Sequence, residues 1–174
     1  MEGRVRGAGN GFVLACDMRF AARESALFCQ LEQAFATVPG AGGIQHLTRL
    51  IGRARTLEVI LSADDYDAEQ AERHGWINRA LPAAELGQFV RSLAHRIAGF
   101  PSAAHTMLKE RVNANTLALA DEFRRDSDLF AHGLSSPEGS ARTKAAFERA
   151  FQTRDAEMDL PRLLGDLGRH PDQH

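Results

Sequence analysis

Two glycine-dense turns, Gly7-Ala-Gly-Asn-Gly11 and Val38-Pro-Gly-Ala-Gly-Gly43, constrain this chain more than any other feature. Glycine permits close backbone approach and positive φ, so each cluster marks a sharp turn or a near contact. The first turn feeds Phe12-Val-Leu-Ala-Cys16, closed by Asp17. An apolar run of that length fits a buried helix or a strand, and a glycine turn entering small, apolar residues reads as a helix start. Such a start aims unpaired backbone N–H groups outward, and the helix dipole adds positive potential there. It suits a phosphate or a developing oxyanion, and it equally suits a tight turn needed only for packing. A dinucleotide fingerprint is excluded. Gly7-x-Gly9 requires glycine or alanine at position 12, which is Phe12, and no strand is expected ahead of it.

Residues 18–22 and 26–30 are short, partly alternating and bounded by charge, and read as strands. Residues 44–51 place Ile44, Leu47, Leu50 and Ile51 on one helical face, Gly52 ends that helix, and 53–61 resume helical spacing. Asp67 caps a helix over 68–74, Gly75 stops it, and 76–81 read as a strand. Beyond Ala83 the pattern is helical, with an apolar stripe through Leu86, Phe89, Val90, Leu93 and Ile97. Pro101 punctuates. Helices are expected over 103–120 and 121–132, and Ser136-Pro137 begins another over 138–152. Residues 168–174 read as a frayed end. The organisation is mixed α/β first and all α afterwards.

Among side chains that carry chemistry, Glu32 stands out, two residues past a strand in Cys29-Gln-Leu-Glu-Gln-Ala-Phe35. A carboxylate among apolar neighbours has a raised pKa and suits general acid or base work, whereas a solvated loop glutamate does neither. Both readings are open at this point. His170 and His174 stand four apart in a polar tail, the other histidines are scattered, and no metal site is expected. Cys16 and Cys29 are the only cysteines, which excludes a disulfide scaffold and fits a reducing, cytoplasmic setting. With 174 residues the chain has the length of one domain, and its formal net charge of −2 gives no general electrostatic case for nucleic acid or an anionic membrane. No apolar run is long enough to span a bilayer, and the opening residues lack the apolar stretch of a signal peptide.

Taken in order, three blocks resemble the enoyl-CoA hydratase/isomerase (crotonase) family: Gly7-Ala-Gly-Asn-Gly-Phe-Val-Leu-Ala-Cys-Asp17, Ala26-Leu-Phe-Cys-Gln-Leu-Glu32, and residues 38–52. Ala68-x-x-Ala71-x-x-x-Gly75-Trp-Ile-Asn78 with Leu81-Pro82, and Lys109-Glu-x-Val-Asn113, are also similar to it. The resemblance covers Gly3 to about Asn113 and implies an α/β fold: the C-terminal part of a crotonase-like (ClpP/crotonase) ββα core, followed by an all-helical region. It implies that an acyl-CoA thioester binds with its carbonyl oxygen held by backbone N–H groups, which stabilise an enolate. By position one donor is the amide of Ala8, with Gly7 and Gly9 shaping the turn, and Glu32 falls where the family carries a catalytic glutamate. Pro39 and Gly40 would line the same pocket. No cofactor is implied, CoA being part of the substrate, and a homo-oligomer, trimer or hexamer, is expected.

Three departures from the family pattern shape the expectation. Hydratases carry a second glutamate whose slot here is Gly11. That favours isomerase chemistry with one carboxylate over hydration. The stretch from Asp17 to Glu32 is one residue longer than the family pattern, which a bulge absorbs unless Glu32 is displaced. The family's earlier strands, and the loop giving its other oxyanion donor, have no counterpart in this sequence. A truncated, catalytically inactive paralogue serving as an interaction or assembly subunit is therefore the alternative. The expected division is 1–100 as the later part of the core, 101–155 as a helical oligomerisation region, and 156–174 as a tail.

Overall fold

A computed structural model describes residues 1–168. The fold is α/β, with short strands confined to the first part of the chain and helices after it. One sheet holds β1 (Arg4–Arg6), β3 (Leu27–Cys29) and β4 (Tyr66–Asp67) in the order β1-β3-β4. β1 runs parallel to β3, with Val5 opposite Phe28, and β4 runs antiparallel, with Tyr66 opposite Phe28. A second, two-stranded sheet pairs β2 (Phe20–Ala22) in parallel with β5 (Arg79–Leu81), Ala21 opposite Ala80.

The expectation that no strand precedes the first glycine turn is corrected. β1 lies directly ahead of it and joins the sheet through β3. Its sequence, Arg-Val-Arg, hides the strand. Only Val5 faces the core, and Arg6 is carried inside by ion pairs to Asp65 and to Glu157, the latter at 2.7 Å. The strand expected over 76–81 is half turn. Gly75 takes a left-handed conformation, the Trp76 N–H returns to the Ala71 carbonyl (2.9 Å), and pairing begins only at Arg79. Arg19 clamps this turn from the other side, its Nε donating to the Trp76 carbonyl at 2.8 Å.

Helix α1 (Ala8–Leu14) leaves the first glycine turn, and α2 (Gly43–Ser62) leaves the second, broken in the middle at Gly52. Helix α3 (Ala68–His74) begins with a full capping box: Asp67 accepts from the Gln70 N–H, and the Gln70 side chain accepts from the Asp67 N–H. The main core gathers Leu14, Phe28, Leu47, Val59 and Trp76 between these elements. Helices α4 (Ala83–Ala98), α5 (Ser102–Thr116), α6 (Ala120–Ser135) and α7 (Pro137–Glu148) follow. Helix α5 stops four residues earlier than its periodicity predicts. Asn115 and Thr116 donate back to the carbonyls of Arg111 and Val112, and Leu117 turns extended. Ser136 caps α7 as expected, accepting from the Gly139 N–H at 3.0 Å.

The segment expected as a tail carries structure. Helices α8 (Arg154–Met158) and α9 (Leu160–Asp166) fold back, and Leu160 and Leu164 join Phe35, Ala63 and Ala146 in a second apolar cluster. The pattern was obscured because α7 ends at Glu148, and Ala150 and Gln152 take positive φ in the connecting turn. The His170–His174 pair lies outside the described residues. Replacing Leu160 with Ala, which removes a fully buried side chain, should cost about 2–5 kcal/mol in urea unfolding of the whole chain. A loss near zero would mean that the last helices are not part of the folded unit.

Candidate active site

The turn at Gly7 begins the site. Gly7 adopts φ 52 and ψ −124, a conformation costly for any residue with a Cβ, and its N–H is held by the Cys29 carbonyl at 3.1 Å. The backbone is thereby pinned to the end of β3 as it swings from β1 into α1. Ala8, Gly9 and Asn10 form the first turn of α1, where N–H groups have no intrahelical acceptor. A Cβ placed on Gly7 would stand 3.5 Å from Glu32 Oε1, so the carboxylate lies directly beside the turn.

Glu32 opens a short 3-10 turn, Glu32–Phe35, one residue beyond Leu31 at the exit of β3. It is only 7% exposed. The Gln30 amide Nε2 donates to both of its carboxylate oxygens, at 3.0 Å each. Burial holds the Glu32 carboxyl above the usual carboxylate range, and hydrogen bonds from its own backbone, from Gln30 and from Leu31 offset part of that rise. Behind Gln30 stands Asn10, which donates to Gln30 Oε1 and accepts from the Trp76 indole N–H at 3.1 Å. Asn10, Gln30 and Trp76 are all buried.

These groups face a cavity of about 710 Å³. Gly7, Ala8, Gly9, Leu31, Glu32 and Gly40 line it from the α/β side. The helical part closes it from the other side with Phe130 and Leu134 of α6, Thr143 and Phe147 of α7, and Phe151. The structure thus brings Gly7, Ala8, Gly9, Gly40 and Glu32 to one cavity, and the extra residue before Glu32 has not displaced it. Pro39 is the exception: it is buried beneath the loop, against Gly43, and does not line the cavity. Gly40 has a packing duty as well, because a Cβ there would meet Phe130 Cβ at 2.6 Å. Sequence reasoning missed Asn10, Gln30 and the aromatic wall from α6 and α7. The first two were legible only as polar residues inside apolar runs, and the last comes from the far end of the chain.

The family model for enoyl-CoA hydratase/isomerase matches residues 1–150. The chain belongs to the enoyl-CoA hydratase/isomerase family. A probable enoyl-CoA hydratase, echA8, of Mycobacterium bovis is 36% identical over 148 residues, which are 84% of this chain and 57% of that protein. Among solved structures, a candidate enoyl-CoA hydratase from Streptomyces avermitilis superposes with a TM-score of 0.94 at 48% identity, covering 97% of this chain and 61% of that one. An enoyl-CoA hydratase from Mycobacterium avium subsp. paratuberculosis gives a TM-score of 0.78 at 26% identity, covering 84% and 60%. The chain therefore spans about three-fifths of the length of these relatives.

Within this enoyl-CoA hydratase/isomerase member, the slot at Gly11 is sterically shut. A Cβ at Gly11 would lie 2.8 Å from the Ala41 carbonyl oxygen and 2.9 Å from Ala41 Cβ. Backbone occupies that space, so no rotamer change relieves the contact. No described helix is long and apolar enough to cross a membrane.

The raised carboxyl of Glu32 has a defined thermodynamic sign. A folded-state pKa above the unfolded value means that the native state binds more protons between the two, so stability falls as pH rises through that window. Unfolding free energies measured in urea from pH 4 to pH 8 should decline less steeply for Glu32→Gln than for the wild type. Parallel curves would show that Glu32 titrates as an exposed glutamate does.

Proposed function

We propose that this chain carries isomerase-type proton transfer on an acyl-CoA thioester, with Glu32 as the only carboxylate in the reaction. In this reading the thioester oxygen is held by the Ala8 N–H, with Gly7 and Gly9 shaping the turn and Gly40 lining the binding cavity. Glu32 as carboxylate takes a proton from C2 of a 3-enoyl thioester. The C–H electron pair becomes a dienolate whose oxygen charge the amide stabilises. The protonated Glu32 then delivers the same proton to C4, and the double bond moves from C3–C4 to C2–C3. No metal or dissociable cofactor enters, since CoA is part of the substrate. A buried carboxyl with a raised pKa supports both steps, as a stronger base first and a ready acid afterwards.

The observation that carries the choice over hydration is the closed Gly11 slot, where the Ala41 carbonyl stands in the way of any second side chain. The proposal extends to a cytoplasmic homo-oligomer of the trimeric or hexameric kind. Support for self-association comes from α5, which has no buried residue of its own and exposes Met107, Leu108 and Val112.

Purified full chain, assayed with 3-enoyl-CoA and 2-enoyl-CoA in D₂O, tests the reaction. The expected result is double-bond migration without net hydration, lowered about 10²–10⁴-fold by Glu32→Gln. Gly11→Glu should not install hydration and should destabilise the fold by about 1–3 kcal/mol, read in urea unfolding. Hydration faster than isomerisation would overturn the reading. Binding of acyl-CoA, seen as a raised melting temperature, without turnover of either substrate would assign the chain to the non-catalytic alternative.

A further inference from the structure

Four buried side chains form one polar line through the α/β part. It runs from the Trp76 indole N–H to Asn10 Oδ1, from Asn10 Nδ2 to Gln30 Oε1, and from Gln30 Nε2 to both oxygens of Glu32. Each amide in the line has one accepting and one donating end, so its direction is set by whatever lies at the terminus. Indole is donor-only. It fixes Asn10 with Oδ1 toward Trp76, which leaves Asn10 Nδ2 toward Gln30. Gln30 must then turn its Oε1 to Asn10 and its N–H groups to Glu32. Reversal of either amide would set two donors or two acceptors face to face among buried side chains.

We propose that Trp76 and Asn10 are positioning residues for Glu32, the indole N–H setting the direction of an amide relay that turns Gln30 onto the carboxylate. The packing is built for it. The Trp76 backbone is held by Arg19, the indole rests on Phe28 with ring centroids 5.5 Å apart, and Gly43 leaves room for the Gln30 amide, since a Cβ there would meet Nε2 at 3.0 Å. Of the four residues, Glu32 alone lines the cavity. Its value to catalysis rests on the role proposed for Glu32 above, while its existence can be read without any turnover.

Other charges do not supply the same effect. Helix α1 has no ionisable side chain. Around Glu32 stand the Cys29 thiol of β3, Arg4 and Arg6 of β1, Glu157 of α8, Arg142 of α7, and Asp64 and Asp65 after α2. Arg6 is paired with Asp65 and Glu157, and Arg142 with Glu138. His46 of α2 packs against Phe123 and is not among the residues lining the cavity. All of these are the same in the wild type and in the variants below.

The test is a pH titration of the full chain labelled with ¹³C at glutamate carboxyls, the Glu32 signal being the one absent from Glu32→Gln. Gln30→Met, which removes the donor, should raise the Glu32 midpoint by about one pH unit. Trp76→Phe, which removes only the terminus, should raise it by about half a unit or more, because Asn10 and Gln30 are then free to reverse. Phe28→Leu disturbs the packing on Trp76 but not the relay, and should leave the midpoint where it was. An unchanged midpoint in Trp76→Phe, or an equal shift in Phe28→Leu, would overturn the proposal. If Trp76→Phe does not fold, the wild type decides: the Asn10 side-chain ¹⁵N shift should inflect at the Glu32 midpoint, and a flat response overturns the relay. A wild type without isomerase activity but with these shifts intact would sink the proposed reaction and leave the relay standing.

Discussion

The turn at Gly7 is the constraint from which the rest of the site follows. Its positive φ lets the chain pass from β1 into α1 within one residue, and its N–H is tied to the last residue of β3. Two consequences come together. Ala8 and Gly9 of α1 are placed on the cavity, and the carboxylate of Glu32, three residues beyond the end of β3, lies beside the turn. A side chain at position 7 would strain the backbone, while its Cβ would meet Glu32 Oε1 at an ordinary contact distance of 3.5 Å. The amide end and the carboxylate end of the site are therefore set by one residue and by one strand pairing.

Holding a carboxylate in that space is unfavourable unless its hydrogen bonds are made. The Gln30 amide meets that need, and the relay behind it makes the arrangement one-directional. The same network welds three elements that are distant in sequence: α1 through Asn10, the strand exit through Gln30, and the turn after α3 through Trp76. Truncating one member would leave its partner buried without a bond, a cost of about 1–3 kcal/mol. Stability and site geometry are thus carried by the same atoms. That coupling suits the general-base role proposed for Glu32, whose lone-pair direction must hold while its protonation state changes.

Much of this was written in the sequence as local chemistry. The two glycine clusters, the Asp67 cap, the Gly52 break and the Ser136-Pro137 start all act within a few residues of themselves, and each appears where expected. Glu32 and Ala8 were pointed to by the family resemblance, and both line the same cavity. What the sequence hid acts at long range. β1 is a strand only because β3 pairs with it and two acidic groups, Asp65 and Glu157, neutralise Arg6. Helices α8 and α9 bury their leucines against residues from a much earlier part of the chain, Phe35 and Ala63. Asn10 and Gln30 carry no motif, and their meaning depends on Trp76, 66 positions from Asn10.

The helical part adds the last element of the argument. Phe130, Phe147 and Phe151 come down over the glycine turn and Glu32 of their own chain, and Gly40 is a glycine so that Phe130 can do so. In the proposed reaction this aromatic wall faces the carboxylate that exchanges a proton with carbon. Hydration needs a positioned water and a second group to handle its proton, and the slot for that group is filled by the Ala41 carbonyl. Returning one proton to a different carbon needs neither. It requires that the proton stay on Glu32 while the dienolate waits, which a buried carboxyl with a raised pKa in an apolar cavity favours over loss to solvent. On the proposed reading, the closed second slot and the buried base favour the same chemistry, transfer of one proton between two carbons.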